Sequence, residues 1–155
     1  MIEIHIPGRE PLFIENVVMD YNGTLAVDGI LPESVKDRIR SLARKANVYI
    51  LTADTYGTVK KQCQDLGIMV KTFPREGAAL CKEEIVKSLE GQTVCIGNGY
   101  NDVLMFELAD LTIGVLEKEG VCAALLSHTD VLVSAAEDAL DLLLKPDRLR
   151  ATLRN

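Results

Sequence analysis

An aspartate at position 20 follows the apolar residues 17–19 and precedes a glycine at position 23. The apolar run predicts a buried strand, and the glycine predicts a sharp turn directly after it. Asp20 is therefore expected at the carboxyl end of a strand, which is the end where open parallel sheets bind ligands. A carboxylate there can be a nucleophile, a metal ligand or a turn residue, and the other residues of the chain must distinguish these roles.

Four further polar residues are predicted to share the same edge of the sheet. They are Thr52, Lys82, Asn98 and Asp102. Thr52 and the loop from Asn98 to Asp102 follow predicted strands directly, as Asp20 does, whereas Lys82 belongs to a helix that can lean over the rim. A phosphoryl group needs such a set, because its transfer uses an oxygen nucleophile, a divalent cation, hydrogen-bond donors and a fixed positive charge. In the alternative interpretation, the two aspartates are turn or helix-capping residues and the lysine is a surface residue.

Strand-like and helix-like segments alternate along the chain. Strands are predicted at 2–6, 12–14, 17–20, 48–51, 68–70, 93–96, 111–115 and 130–133, and helices at 33–46, 56–66, 78–89, 102–109, 120–127 and 136–144. This alternation predicts right-handed crossovers and an α/β, Rossmann-like, three-layer α/β/α fold with a mostly parallel sheet. Residues 1–155 are expected to form one domain.

Two local hairpins are predicted in addition. The Pro7-Gly8 turn lies between the strands 2–6 and 12–14, which indicates an N-terminal β-hairpin. The dipeptide Asp28-Gly29 is typical of a tight hairpin turn, so residues 25–31 are predicted to form a small β flap beside Asp20.

Composition narrows the class of protein. The chain has 155 residues, of which 48% are hydrophobic and 26% charged, and its formal net charge is −6. This charge argues against nonspecific nucleic-acid binding. No apolar stretch approaches the ~20 residues that span a membrane, and no secretory signal is expected. The four cysteines lack metal-site spacing and are predicted to be reduced, so a cytoplasmic location is expected. The basic residues after 144 are predicted to form a solvated helix face.

Four motifs in order resemble those of the haloacid dehalogenase superfamily, and in particular the phosphorylation domain of P-type ATPases. They are Asp20-Tyr21-Asn22-Gly23-Thr24-Leu25, Leu51-Thr52-Ala53-Asp54, Lys82-Glu83-Glu84-Ile85-Val86-Lys87-Ser88-Leu89 and Gly97-Asn98-Gly99-Tyr100-Asn101-Asp102. The resemblance covers residues 15–135. No cap domain fits between the motifs, because only the flap and about 30 further residues separate them. The chain is therefore similar to the soluble P-type ATPase-like group.

The resemblance implies a Mg²⁺-dependent phosphohydrolase or phosphotransferase that forms an aspartyl-phosphate on Asp20. It implies catalytic roles for Asp20, Asn22, Thr52 and Lys82. It implies phosphate binding by Asp20, Gly23, Thr52, Ala53 and Lys82, and metal binding by Asp20, the Asn22 carbonyl, Asn98 and Asp102. The partner is expected to be a phosphorylated small molecule or a phosphoprotein, and a homo-oligomer could cover the open site.

Two residues depart from the superfamily pattern. Phosphatases of the superfamily carry an aspartate in place of Asn22, where it protonates the leaving group, and an aspartate in place of Asn98, where it binds the metal. An amide side chain has no acidic proton at neutral pH, so slow turnover is expected. Two functions therefore remain open from the sequence: a weak phosphohydrolase, or a catalytically impaired binding or regulatory module that keeps the metal or phosphate site.

Overall fold

The computed structural model of the protein describes residues 1–53 and 58–155. Within these ranges one sheet contains β1 Ile2–Ile4, β2 Leu12–Asp20, β3 Asn47–Thr52, β4 Met69–Thr72, β5 Gln92–Gly97, β6 Leu111–Val115 and β7 Val131–Val133. Strands β2 to β7 are parallel in the order β4-β3-β2-β5-β6-β7, and β1 pairs antiparallel with the start of β2. The predicted α/β class and mostly parallel sheet are confirmed.

Helices cover both faces of the sheet. They are α1 Glu33–Ala43, α2 Thr58–Gln62, α3 Ala78–Lys87, α4 Val103–Leu108, α5 Ala123–Leu126, α6 Ala136–Leu144 and α7 Pro146–Leu153. Alternate side chains of β2 point to opposite faces. Val17 and Met19 lie in one apolar core with residues of α1, α2, α6 and α7, whereas Val18 lies in a second core with residues of α3, α4 and α5. The predicted three-layer architecture is confirmed.

The central strand β2 pairs with β3 on one side and with β5 on the other. Val18 lies opposite Tyr49 of β3 and Cys95 of β5. The chain therefore continues from β2 to β3 on one side and reaches β5 on the other. Where the direction of strand order changes in this way, a crevice opens at the carboxyl end of the central strand. Asp20, the last residue of β2, lies in that crevice.

The N-terminal hairpin is confirmed, but its second strand is longer than predicted. Ile4 pairs with Leu12, and the strand that starts at Leu12 continues without a break to Asp20. The polar residue Asn16, which lies between the two predicted strands 12–14 and 17–20, is buried in β2. Its side chain donates a hydrogen bond of 2.7 Å to the Glu90 carbonyl, so the sheet accommodates it.

The flap beside Asp20 forms as predicted. The backbone groups of Val27 and Ile30 exchange hydrogen bonds of 3.3 and 3.1 Å. Asp28 and Gly29 between them both have positive φ, 53° and 78°, which is the conformation that Asp-Gly favours in two-residue hairpin turns.

Several boundaries differ from the predictions. The predicted helix at 102 begins as a 3-10 turn, Tyr100–Asp102, and the predicted helix 120–127 shortens to α5. The predicted start of α2 at Tyr56 lies outside the described residues. Helix α7 carries the exposed residues Arg148 and Arg150, as predicted for the basic residues after 144, although its bounds were not predicted. No helix in the described ranges has the length and apolar character to cross a membrane.

Candidate active site

The structure brings Asp20 and Lys82 into direct contact. The Lys82 ammonium nitrogen lies 2.8 Å from Asp20 Oδ1, although 62 residues separate the two in sequence. Lys82 extends from α3, which packs on the face opposite α1, and only 1% of the residue is exposed. The prediction that this helix places Lys82 at the rim of the sheet, beside Asp20, is therefore confirmed.

The same ammonium group binds the loop that follows β5. Its nitrogen lies 2.7 Å from Asp102 Oδ1 and 2.9 Å from Asn101 Oδ1. The second Asp102 oxygen accepts hydrogen bonds from the backbone N–H groups of Asn98 and Gly99, at 3.1 and 2.9 Å. Asp102 is fully buried. It therefore fixes the loop conformation as well as the lysine.

A hydroxyl group links the first motif to the fourth. The Thr24 hydroxyl oxygen lies 3.1 Å from Asp20 Oδ2 and 2.9 Å from Asn98 Oδ1. The Asn98 amide group donates in turn to the Gly120 carbonyl at 3.0 Å, which fixes the direction of its oxygen. The Asp20 and Asn98 oxygens therefore face the same point.

The glycine in the first motif allows this close approach. Gly23 has φ +79°, and a Cβ atom at this position would lie 2.6 Å from the Asn98 amide nitrogen. Any other residue would displace Asn98 and strain the turn. The Gly23 N–H group donates to the Ala26 carbonyl at 2.9 Å, so it is already used within the flap. The expected contact of Gly23 with a phosphate stays a prediction.

The charges of the site do not balance, because one ammonium group serves two buried carboxylates. Burial and, to a smaller extent, the Asp102 carboxylate raise the pKa of Asp20 to about 7, against the opposing effects of Lys82 and Thr24. Burial alone would lower the pKa of Lys82, but the charges of Asp20 and Asp102 outweigh it and raise that pKa. Lys82 is therefore charged at neutral pH, while Asp20 titrates near neutrality.

These groups surround an open cavity of about 420 Å³, which we call the Asp20 pocket. Thr52 and Ala53, at the end of β3, line it opposite the loop after β5. Asn22 lines it with an exposed side chain, and Tyr100 at its rim is 73% exposed. All the predicted site residues except Gly23 and Asp102 line this pocket, and those two contact residues that do.

A divalent cation in the Asp20 pocket would need several oxygen ligands. In the described part of the chain, no three histidine, cysteine, aspartate or glutamate side chains cluster as a metal site. Asp20 supplies a carboxylate and Asn98 an amide oxygen, and both lie within hydrogen-bond distance of the Thr24 hydroxyl. The two Asp102 oxygens instead accept hydrogen bonds from Lys82 and from backbone N–H groups. Hard oxygen donors of this kind suit Mg²⁺, so the set fits, although with little negative charge. Asp54, considered from the sequence as a further charged ligand, lies outside the described residues.

The structure places three residues at the site for which the sequence predicted no role. Thr24 bridges two motifs, Asn101 binds Lys82, and Tyr100 forms the rim. All three belong to the motifs given above, so the sequence already indicated that they lie near the site. Their contacts, however, depend on how the ends of β2 and β5 are placed in the sheet.

Comparisons with known proteins agree with this architecture. No family model matches the chain. A soluble P-type ATPase-like phosphatase of Methanocaldococcus jannaschii is 24% identical over 144 residues, which cover 90% of this chain and 53% of that protein. The chain thus spans about half the length of this relative. An uncharacterized protein of the same organism is 45% identical over 62 residues, 40% of this chain and 67% of the relative.

A solved structure shares the fold. It is the 3-deoxy-D-manno-octulosonate 8-phosphate phosphatase of Moraxella catarrhalis, in complex with magnesium, phosphate and KDO. It superposes with a TM-score of 0.71 at 19% identity and covers 90% of this chain and 92% of its own. The fold and the ordered motifs at one sheet edge confirm the resemblance seen in the sequence. The chain therefore resembles the haloacid dehalogenase superfamily in its fold and in the order of its motifs, with no cap domain between the described motifs.

Proposed function

We propose that this protein is a phosphohydrolase that acts through an aspartyl-phosphate on Asp20. The observation that carries the proposal is the Asp20 carboxylate at the sheet edge, 2.8 Å from a buried ammonium group and open to a pocket that Thr52 also lines. A carboxylate, a fixed cation and a hydroxyl around one cavity are the groups that phosphoryl transfer to an aspartate requires.

The proposed reaction has two steps. An Asp20 oxygen attacks the phosphorus atom, and the bond from phosphorus to the leaving oxygen breaks. The leaving oxygen takes its proton from solvent, because the Asn22 amide cannot supply one. Water then attacks the phosphorus of the acyl phosphate, which releases inorganic phosphate and restores the carboxylate. Lys82 offsets the negative charge, and Thr52 hydrogen-bonds the phosphoryl group.

Magnesium is the proposed cofactor. Asp20, the Asn22 carbonyl, Asn98 and Asp102 would hold it, and its charge would offset that of the phosphate. The neutral amide at Asn98 supplies a ligand oxygen without a negative charge. Weak metal binding is therefore expected.

A regulatory or binding module is the second candidate function. The specific observation in its favour is the exposed Asn22 side chain, which lies at the position of the general acid but has no proton to give. Such a module would keep phosphate and metal binding without turnover.

The proposed partner is a phosphorylated small molecule or a phosphoprotein. The Asp20 pocket is open, so a second copy of the chain could cover it, and we propose a homo-oligomer for this reason. The net charge of −6 disfavours nucleic acid as a partner. A cytoplasmic location and the absence of a membrane partner stay predictions.

Hydrolysis of p-nitrophenyl phosphate with Mg²⁺ tests the proposal. The wild-type protein is expected to turn over slowly, and Asp20→Asn is expected to abolish turnover because the nucleophile is lost. Asp147→Asn, which changes an exposed aspartate on α7, is the matched control and should keep activity. Beryllium fluoride should form an adduct on Asp20. Equal rates in wild type and Asp20→Asn would reject the hydrolase and favour the module.

A further inference from the structure

A second cavity opens beside the Asp20 pocket, and we call it the flap pocket. Its volume is about 570 Å³. The flap, the end of β2, the start of α2 and the side chain of Arg75 line it. Asn22 and Ala53 line both pockets, so the two cavities adjoin at the residues next to Asp20. A group bonded to a phosphate at Asp20 can therefore extend into the flap pocket.

The flap side of this cavity is fixed by hydrogen bonds. The Gly29 carbonyl accepts hydrogen bonds from the Tyr21 hydroxyl at 3.0 Å and from the Gln62 amide at 2.7 Å. The Gln62 amide oxygen accepts the Leu31 N–H at 2.7 Å. Helix α2 and the residue that follows β2 therefore both hold the Gly29 carbonyl, which fixes the flap side of the pocket.

The position of Arg75 follows from the loop after β4. The Phe73 N–H group donates to the Thr52 carbonyl at 3.3 Å, so this loop starts at the same sheet edge as the site. Among the described residues, no carboxylate lies within ion-pairing distance of the Arg75 guanidinium group. Lys82, by contrast, is saturated by three oxygens. Arg75 is therefore an available cation beside the site in an acidic chain.

We propose that the flap pocket binds the leaving group of the substrate and that Arg75 recognises an anionic group on it, either a carboxylate or a second phosphate. Guanidinium groups bind both anions through paired hydrogen bonds. Asp28, on the flap side of the pocket, would repel the anion and accept hydrogen bonds from hydroxyl or ammonium groups. Since a leaving group exists only if Asp20 acts on phosphate esters, this subsite rests on the proposed function.

Two matched esters test the subsite. The substrates 3-phosphoglycerate and glycerol 3-phosphate share one skeleton and differ by a carboxylate in place of a hydroxymethyl group. Wild-type protein should prefer the carboxylate in kcat/KM. Arg75→Met should lower this preference about 10- to 100-fold, the range for losing a hydrogen bond to a charged group. Arg9→Met removes an equal charge from the exposed turn after β1 and should keep the preference. An unchanged ratio in Arg75→Met would overturn the proposal.

A bisphosphate series separates the two anions. If Arg75→Met lowers only the preference for fructose bisphosphate over fructose monophosphate, the anion recognised is a second phosphate. If it lowers only the preference for phosphoglycerate, the anion is a carboxylate.

Binding to the Asp20→Asn protein separates this proposal from the hydrolase itself. Calorimetry on that variant reports affinity without turnover. Tighter binding of 3-phosphoglycerate or fructose bisphosphate than of its matched ester, lost on adding Arg75→Met, would support the subsite even if no ester is hydrolysed. Equal affinity within both pairs would overturn the subsite, even if Asp20-dependent hydrolysis is observed.

Discussion

At the residue scale, the site is governed by one ammonium group between two carboxylates. Lys82 contacts Asp20, Asn101 and Asp102, and all three contacts are at most 2.9 Å. Removing the lysine would leave two buried carboxylates side by side, which is among the most destabilising changes in a protein interior. The aspartate that must attack phosphorus therefore depends on Lys82 for its charged form.

Asp20 should make the stability of the metal-free protein depend on pH. Its pKa rises from 3.8 to about 7 on folding, so between these values the folded state binds more protons than the unfolded state. The free energy of unfolding should therefore fall as pH rises through this window. Urea denaturation at about pH 5 and about pH 8 measures the effect. Asp20→Asn should lose this part of the pH dependence, and a variant profile equal to that of wild type would contradict the assignment.

Restoring a carboxyl group next to the nucleophile should speed turnover. Asn22→Asp adds an acid–base group that can protonate the leaving oxygen, and such assistance contributes about 10²- to 10⁴-fold in rate. The measurement is the rate of p-nitrophenyl phosphate hydrolysis with Mg²⁺. The double variant Asn22→Asp with Asp20→Asn is the control and should be inactive. An unchanged or lower rate in the single variant would count against the proposed geometry.

Asn98→Asp should change metal affinity and stability in opposite directions. A second negative charge beside Asp20 should tighten Mg²⁺ binding, which calorimetry measures. The substitution also removes the donor to the Gly120 carbonyl, so the metal-free protein should lose about 1–3 kcal/mol of stability. If Mg²⁺ affinity does not change, Asn98 does not contact the metal.

At the scale of elements, the loops at the carboxyl ends of β2, β3 and β5 carry the site, and the helices hold these loops in place. The flap is the clearest example, because α2 fixes it through Gln62. The rigidity of the flap therefore depends on a contact with another element rather than on the sequence of the flap alone.

Gln62→Ala should loosen the flap. The substitution leaves the Leu31 N–H group without its partner and removes one of two donors to the Gly29 carbonyl. An unpaired, partly buried donor costs about 1–3 kcal/mol, which denaturant unfolding can detect. Gln64→Ala, on the exposed side of the same segment, is the control and should have little effect. Equal stability of both variants would show that Gln62 does not hold the flap.

At the scale of the whole molecule, the two apolar cores determine which parts of the chain reagents can reach. Cys63 and Cys95 are buried in opposite cores, whereas Cys81 and Cys122 are half-buried. Burial raises the pKa of the Cys63 thiol to about 11 and also raises that of Cys95. Only the thiolate reacts readily. Both buried cysteines are therefore protected from reagents in two ways: their thiols stay protonated, and reagents cannot reach them.

Alkylation should separate these two classes of cysteine. At about pH 8, iodoacetamide should modify Cys81 and Cys122 in the native protein but leave Cys63 and Cys95 unmodified until the protein unfolds. Peptide mass spectrometry in the absence and presence of denaturant measures the difference. Rapid native labelling of Cys95 would contradict the description of the core between the sheet and α3 to α5.

Much of the site could be predicted from the sequence, because it consists of short segments at the ends of strands. The apolar run before Asp20 predicted its strand, Asp28-Gly29 predicted its turn, and the loop from Asn98 to Asp102 was placed at the correct edge. The continuous strand through Asn16 was misjudged, because the Glu90 carbonyl that accepts its side-chain hydrogen bond is remote in sequence.

Local patterns determined the order of strands and helices, the edge that carries the polar residues, and the two amides that replace acids. Three features were decided only by the tertiary structure. Lys82 hydrogen-bonds Asp20, Asn101 and Asp102. Thr24 lies between Asp20 and Asn98, and Arg75 lines a pocket beside them. The physical reason is distance along the chain. A turn or an apolar run depends on neighbouring residues, whereas these contacts depend on the sheet register and on helix packing over tens of residues.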